Sequence, residues 1–538
     1  MNRRVAGVGR LLVACVLAGC AAGAAADTVS QRTAEALRYQ LTSAARSWGG
    51  SAFGWADLDA FYKQRRYRPV WCGPAGLNQR ARVLIAALRH AGREGLDPGD
   101  YHINGAEAQC ARQRPAAAAW VDILLTNSFF GYSRDVSTGR PELRETDPKW
   151  FIPTPSVAPV KLLESALSSP GGLARVLRNL PPPDPGYRRL RAALARYRAF
   201  AARGGWPDLP PGSSLKEGMR DPRVALLRQR LRLSGDLSDN AAAPHPKRFG
   251  PPLQAAVERF QQRYGLDADG VVGPLTRAAL NVPAAARVEQ IRLNMERWRW
   301  LPRDLGARYV MVNMAGFQLR VADHGHVVLE MPVIVGKPYR STPAFSSTLS
   351  YLVFNPGWTV PRTIALQDML PRERRNPDYL NTEGIEVFSG WSKDARRLDP
   401  TEIDWSRYGK DHFPFRLYQP PGPTNPLGRV KFMFPNPFDV YMHDTPAREL
   451  FNRSVRTFSS GCIRVAKPLE LAAYLLSDAE RSWTVKDVQA EIDTGETRAV
   501  HLPRPLPIYL VYWTAWADAD GVVHFRDDVY GRDRRMQE

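Results

Sequence analysis

Histidine is scarce in this chain: nine in 538 residues, dispersed and without the short spacings that gather ligands, so neither a metal nor a cofactor is implied. One acidic turn, Asp267-Ala268-Asp269-Gly270, has the start of a calcium loop but lacks the bidentate acid such a loop needs at its far end. Acidic residues are in deficit, 54 against 74 Lys and Arg, for a formal net charge of +20. A surface so basic suits nucleic acid, an anionic membrane or another polyanion. Nucleic acid is the poorest of these fits, because the arginines are scattered through helical stretches instead of alternating with aromatic stacking platforms, and no nucleic-acid motif is present. Long apolar runs are missing as well. The run Leu11 to Leu17, behind Arg3, Arg4 and Arg10, is too short to stay in a bilayer as a helix and reads as an export signal over residues 1–26. The mature protein is therefore expected outside the cytoplasm, in the periplasm.

Export makes the five cysteines informative. Cys15 lies in the leader. Leu17-Ala18-Gly19-Cys20 resembles a bacterial lipobox, which would make Cys20 the lipidated first residue and tie the protein to the outer or inner membrane; Ala24-Ala25-Ala26 before Asp27 also fits ordinary cleavage. Cys72, Cys110 and Cys462 remain. In an oxidising compartment the first two can pair and leave an odd thiol at Cys462; the other reading has both buried and reduced.

A chain this long exceeds what one hydrophobic core supports, so two to four domains are expected. Residues 31–207 are mostly helical in pattern, with apolar residues at helix spacing in Ala81 to Leu88, Trp120 to Leu125 and Leu190 to Phe200. Residues 211–283 hold a capped helix from Asp221 and a second from Leu253 to Tyr264, then a Gly-rich turn. A connecting helix occupies 284–304. From 305 to 515 the period changes to two: Tyr309 to Asn313, Gln318 to Val321, Val327 to Val335, Ser350 to Phe354 and Leu506 to Thr514 read as strands. Residues 363–430 interrupt this pattern with charge, proline and aromatics, a length that points to a capping subdomain rather than a bare loop, with a decorated surface loop as the alternative. Residues 516–538 read as a C-terminal tail.

The chemistry concentrates between Tyr441 and Lys467. There Tyr441-Met442-His443-Asp444-Thr445-Pro446 is followed by Phe458-Ser459-Ser460-Gly461-Cys462-Ile463-Arg464-Val465. An ordinary thiol is mostly protonated at neutral pH, so a nucleophilic cysteine needs an imidazole or positive field to hold its thiolate, and His443 can supply one to Cys462. Gly461 permits a tight turn whose amides could face an oxyanion. Arg464 is a permanent fork suited to a carboxylate.

This cassette resembles the signature of the YkuD-type L,D-transpeptidases, with Ser460 standing where many members carry histidine. The pattern is similar to the long multidomain branch of that family. Gly336 to Pro343, with its Thr342-Pro343, and Asn355 to Pro361 match further family segments, and Phe260-Gln261, Tyr264-Gly265-Leu266, Asp269 to Pro274 and Thr276 resemble the small peptidoglycan-binding domain. The fold class implied is multidomain α+β: a helical scaffold domain, a three-helix peptidoglycan-binding domain, and a β-rich, sandwich-like catalytic domain with a capping insertion. The resemblance implies that Cys462 is the nucleophile and His443 the base. It also implies orientation of His443 by the Asp444 main-chain carbonyl more than by its carboxylate, and amides of Gly461 and Cys462 in the oxyanion hole. Arg464, Ser459, Ser460, Tyr441 and Trp358 are the implied substrate-binding residues, Arg464 alternatively bracing the site or forming a structural salt bridge. Peptidoglycan stem peptides are the implied partner, and acyl transfer yielding 3-3 cross-links the implied reaction. Hydrolysis, or peptidoglycan binding without catalysis, stands as the alternative.

Overall fold

The computed structural model of the chain describes residues 28, 30–43, 55–73, 75–112, 114–238, 245–478 and 480–538. The leader, with Cys20 and the alternative start at Asp27, lies outside the described residues. Among the described residues no helix is long and apolar enough to cross a membrane. Two compact units emerge. One comprises Met1–Leu143, Thr154–Ala199 and Ile291–Arg303; the other Arg144–Pro153, Phe200–Gln290 and Asp304–Glu538. Residues 144–153 and 200–207, expected within the scaffold, thus belong to the second unit, and the connecting helix, Ala284–Arg299, contributes to both.

The first unit is helical around its longest helix, Pro115–Thr138, which opens on proline and stops at Gly139, whose φ of 74° is left-handed. Along it Ile123, Leu124, Phe129, Phe130 and Val136 are buried against Leu84, Ile85 and Leu88 of helix Gln79–Arg89 and neighbouring residues of one core. Asn78 caps that second helix by accepting from the Ala81 amide at 3.0 Å. A two-strand ribbon, β1 (Cys72–Gly73) and β2 (Gly76–Leu77), is tied down by buried Asp122, whose carboxylate accepts from the amides of Val70, Trp71 and Cys72 and from the Tyr62 hydroxyl. Cys72 is disulfide-bonded to Cys110, so the reduced alternative falls and Cys462 is the free thiol among the described residues.

The second unit begins with three helices, Arg223–Leu233, Pro251–Tyr264 and Pro274–Leu280. Asp269 is used inside their connecting turn, accepting from Gln261 Nε2 at 2.7 Å and the Val271 amide at 2.9 Å. Its main sheet is built from β3 (Arg308–Asn313), β4 (Gln318–Asp323), β5 (His326–Gly336) and β6 (Ser346–Phe354). Just before the interruption comes β7 (Trp358–Thr359), and the interruption itself carries β8 (Glu386–Phe388), β9 (Arg397–Leu398) and β10 (Arg416–Gln419). The main sheet resumes with β11 (Val430–Met433), β12 (Met442–His443), β13 (Thr457–Ser459), β14 (Ile463–Val465) and β15 (Arg498–Val511), and β16 (Ala515–Ala517) pairs with β17 (Val523–Phe525).

Nine strands in the order β13-β5-β14-β12-β11-β6-β15-β3-β4 form one mixed sheet, which closes because β4 also pairs with β5. The sandwich-like form that the resemblance implied is here a single sheet turned on itself. The cause is strand length: β5 pairs with β4 through its first half and with β14 and β13 through its second, and β15 bends at a register shift between His501 and Leu506, where Pro503 and Pro505 cannot donate. The insertion is a folded subdomain, with a four-stranded sheet β7-β10-β8-β9 and its own core of Met369, Leu370, Leu380, Val387, Trp405, Phe413, Phe415 and Leu417. Residues 516–538 are not a loose tail. They supply β17 and the helix Arg532–Gln537, and bury Val523, Phe525, Arg532 and Met536.

Candidate active site

Two short strands bring the cassette together. β12 and β14 run parallel with Met442 opposite Ile463 and His443 opposite Arg464, so Tyr441 and His443 on one strand project from the same face as Cys462 and Arg464 on the other. β11 adds Lys431, in register with His443 on its other side. Five polar side chains thus share one patch of the sheet. The turn before β14 depends on Gly461, whose φ of 125° disfavours any residue with a Cβ.

The sulfur of Cys462 is held chiefly by Tyr441. The Tyr441 amide and hydroxyl face it and favour its thiolate, with half-buried Trp358 acting on the same hydroxyl, and the thiol donates to the Asp439 carbonyl at 3.8 Å. Lys431 Nζ stands 3.9 Å over the Tyr441 ring. Burial pushes the Cys462 thiol up from its ordinary value, opposed by the two Tyr441 bonds and then by the charges of Lys431 and Arg464. Burial, with the Arg464 and Lys431 charges, pulls His443 down to about 3, against the pull of the Asp444 and Pro426 carbonyls.

These shifts revise the expected ion pair. Burial disfavours the charged form of both the thiol and the imidazole, and no hydrogen bond joins His443 to Cys462 among the described residues. The thiol turns to the Asp439 carbonyl, and the His443 ring is fixed by its Nδ1 at 2.5 Å from the Asp444 carbonyl. Burial raises the thiol and lowers the imidazole to about 3, so both shifts disfavour the thiolate–imidazolium pair.

Other expected residues sit as follows. The Asp444 carboxylate is engaged by the Arg429 amide at 3.0 Å and Arg448 Nη1 at 3.1 Å, which leaves its main-chain carbonyl to the histidine. Ser459 is buried, donating to the Cys462 carbonyl at 2.5 Å and accepting from the Gly461 amide at 3.1 Å. It shapes the turn and offers nothing to a substrate, and it takes the Gly461 amide out of any oxyanion hole. Ser460 is exposed, its hydroxyl 3.0 Å from Arg340 Nη1. Arg464 is half-buried and lies in the electrostatic field of Cys462 and Glu449, with no ion pair among the described residues within contact distance.

Lys431, Arg340 and Thr342 were not singled out as site residues by the sequence. Arg340 joins Ser460 to Asp368 and Gln367 of the insertion, at 2.5 Å and 2.7 Å. Thr342 Oγ1 donates to the Gly461 carbonyl at 2.8 Å. Lys431 left one signal, a lone charge inside the apolar run Val430-Lys431-Phe432-Met433. Among the described residues no group of three or more His, Cys, Asp or Glu is placed to hold a metal ion.

Comparison with known proteins follows the same divisions. Residues 56–194 match a scaffold-domain family, 220–280 the family described as "Putative peptidoglycan binding domain", and 307–495 the L,D-transpeptidase catalytic domain of the YkuD family. A Haemophilus influenzae protein named "Putative L,D-transpeptidase" is 34% identical over 248 residues, 46% of this chain and 49% of its own. A Streptomyces albus zinc D-Ala-D-Ala carboxypeptidase is 41% identical over 63 residues, 12% of this chain and 24% of its own. The chain spans about half the length, or less, of these curated relatives. Among solved structures, an L,D-transpeptidase from Xylanimonas cellulosilytica shares 18% identity over 56% of this chain and 99% of its own, with a TM-score of 0.17. One from Mycobacterium smegmatis shares 14% over 38% and 58%, with a TM-score of 0.18. Scores that low carry no argument about the site.

Proposed function

We propose that this chain, which carries a YkuD-type L,D-transpeptidase catalytic domain behind a scaffold domain and a peptidoglycan-binding domain, is an extracytoplasmic acyl transferase acting on peptidoglycan stem peptides through Cys462. The observation that carries the reading is the clustering of Tyr441, His443, Cys462, Arg464 and Lys431 on one face of β11, β12 and β14. A thiol there is surrounded by two donors and two cations, all of which favour negative charge on sulfur once the proton leaves.

In the first step Cys462 Sγ attacks the carbonyl between the third and fourth residues of a tetrapeptide stem, and its proton passes to His443. The C–N bond breaks, D-alanine leaves with that proton, and a thioester remains. In the second, the side-chain amine of a diamino acid on another stem attacks the thioester, the C–S bond breaks, and the amine's proton returns through His443 to sulfur. The product is a 3-3 cross-link. With the Gly461 amide bound to Ser459, the Cys462 amide is the remaining candidate for the oxyanion. Trp358, reaching Tyr441 from the edge of the insertion, supports a donor site walled by that subdomain. Membrane anchoring through Cys20 rests on the leader alone, and the mass of the mature N-terminal peptide separates a lipidated Cys20 from a start at Asp27.

Incubation with purified disaccharide tetrapeptide, read by mass analysis, tests the reaction. Dimer and free alanine are expected from the wild type and neither from Cys462→Ser. Tripeptide without dimer would make the enzyme a carboxypeptidase, and unchanged substrate would leave a peptidoglycan-binding protein.

A further inference from the structure

We propose that Tyr530 and Arg532, in the C-terminal segment, are positioning residues for the Cys462 turn, working through Thr342 with Asp147 as anchor. All four belong to the second unit, yet three of them lie outside the stretch that matches the catalytic family. Arg532 and Asp147 are fully buried, with Nη1 3.3 Å from the Asp147 carboxylate, and Arg532 Nη2 donates to the Thr342 carbonyl at 3.0 Å. Thr342 Oγ1 passes this on, donating to the Gly461 carbonyl at 2.8 Å while accepting from the Gly336 amide at 3.0 Å. Tyr530 closes the bracket, its hydroxyl donating to the Gly336 carbonyl at 2.6 Å. Gly336 has no room to give: a Cβ there would lie 2.2 Å from the Arg340 carbonyl and 3.1 Å from Gly461 Cα.

The bracket therefore fixes the peptide just before Cys462. Its loosening displaces the sulfur from the Tyr441 donors as well as from a bound substrate. The catalytic arm of the test rests on the acyl-transfer reading, whereas alkylation of Cys462 by iodoacetamide does not.

Tyr530→Phe removes one hydroxyl and keeps the ring stacked on Tyr512. Asp147→Leu combined with Arg532→Met removes both buried charges, so neither is left unpaired. In full-length protein well below its melting temperature, kcat is expected to fall about tenfold to a hundredfold with KM held within about threefold, the size a misplaced nucleophile produces. The pH at which Cys462 becomes reactive to iodoacetamide should rise in the same variants. A lower melting temperature with kcat and alkylation profile both unchanged would overturn the proposal. If the double variant does not fold, Tyr530→Phe decides alone. If the wild type transfers no acyl group, the alkylation profile still decides, and an unshifted one refutes the bracket.

Discussion

Tyr441→Phe isolates what holds the thiolate. The substitution removes the hydroxyl that faces the Cys462 sulfur and favours its thiolate, and leaves the ring under Lys431 and the backbone amide in place. A hydrogen bond to a charged group contributes about 1.5–3 kcal/mol, and sulfur is a weak acceptor, so the lower figure applies. At ~1.4 kcal/mol per tenfold, the thiol should become about one pH unit harder to ionise. Iodoacetamide trapping, followed by mass analysis of the Cys462 peptide across the alkaline range, reads this directly. At a fixed pH below the limb the variant should react about tenfold more slowly, with the plateau at high pH unchanged because the thiolate itself is the same nucleophile. Burial pushes the Tyr441 hydroxyl far above its ordinary value, so its own ionisation does not contaminate the profile. A limb that stays where the wild type has it would show that the hydroxyl does not hold the thiolate.

Three further expectations follow from the same geometry. Because His443 is held neutral down to about 3, the pH profile of kcat/KM should show no acid limb near the ordinary histidine value of about 6.5; such a limb, lost in His443→Ala along with nearly all activity, would mean that the ring is not buried neutral. Asp122→Ala strands three amides inside the first unit, and even one or two left unpaired should lower its stability by roughly 3 kcal/mol in urea unfolding; a loss under about 0.5 kcal/mol would mean that the ribbon stands without it. Replacing residues 363–415 with a short Gly-Ser linker should impair stem-peptide turnover far more than alkylation of Cys462, and equal loss of both would mean that the insertion only supports the fold.

How legible the site was depends on what kind of fact each part is. Positions 441 and 443, and 462 and 464, are two apart, so a strand puts each pair on one face whatever surrounds it. Gly461 is required by a turn that is local in sequence. The insertion was visible as a break in strand period, and Trp405, Phe413, Phe415 and Leu417 within it are apolar enough to make a core of their own. Ser459 was misjudged because a serine beside a nucleophile can face either substrate or backbone. Only its burial and its two backbone bonds decide which.

The sequence by itself determined the division into a helical half, a three-helix module and a β-rich half, the pairing partners available to its cysteines, and the shared face of Tyr441 with His443 and of Cys462 with Arg464. Those follow from periodicity and backbone preference, which act over a few residues. Only the tertiary structure decided how the site is charged and what holds it. Lys431 arrives from β11, Arg340 from the loop after β5, and Arg532 and Asp147 from positions 385 residues apart. Burial at the site disfavours the charged forms of Cys462 and His443 alike. No residue type carries that information, because the dielectric around a side chain belongs to its neighbours.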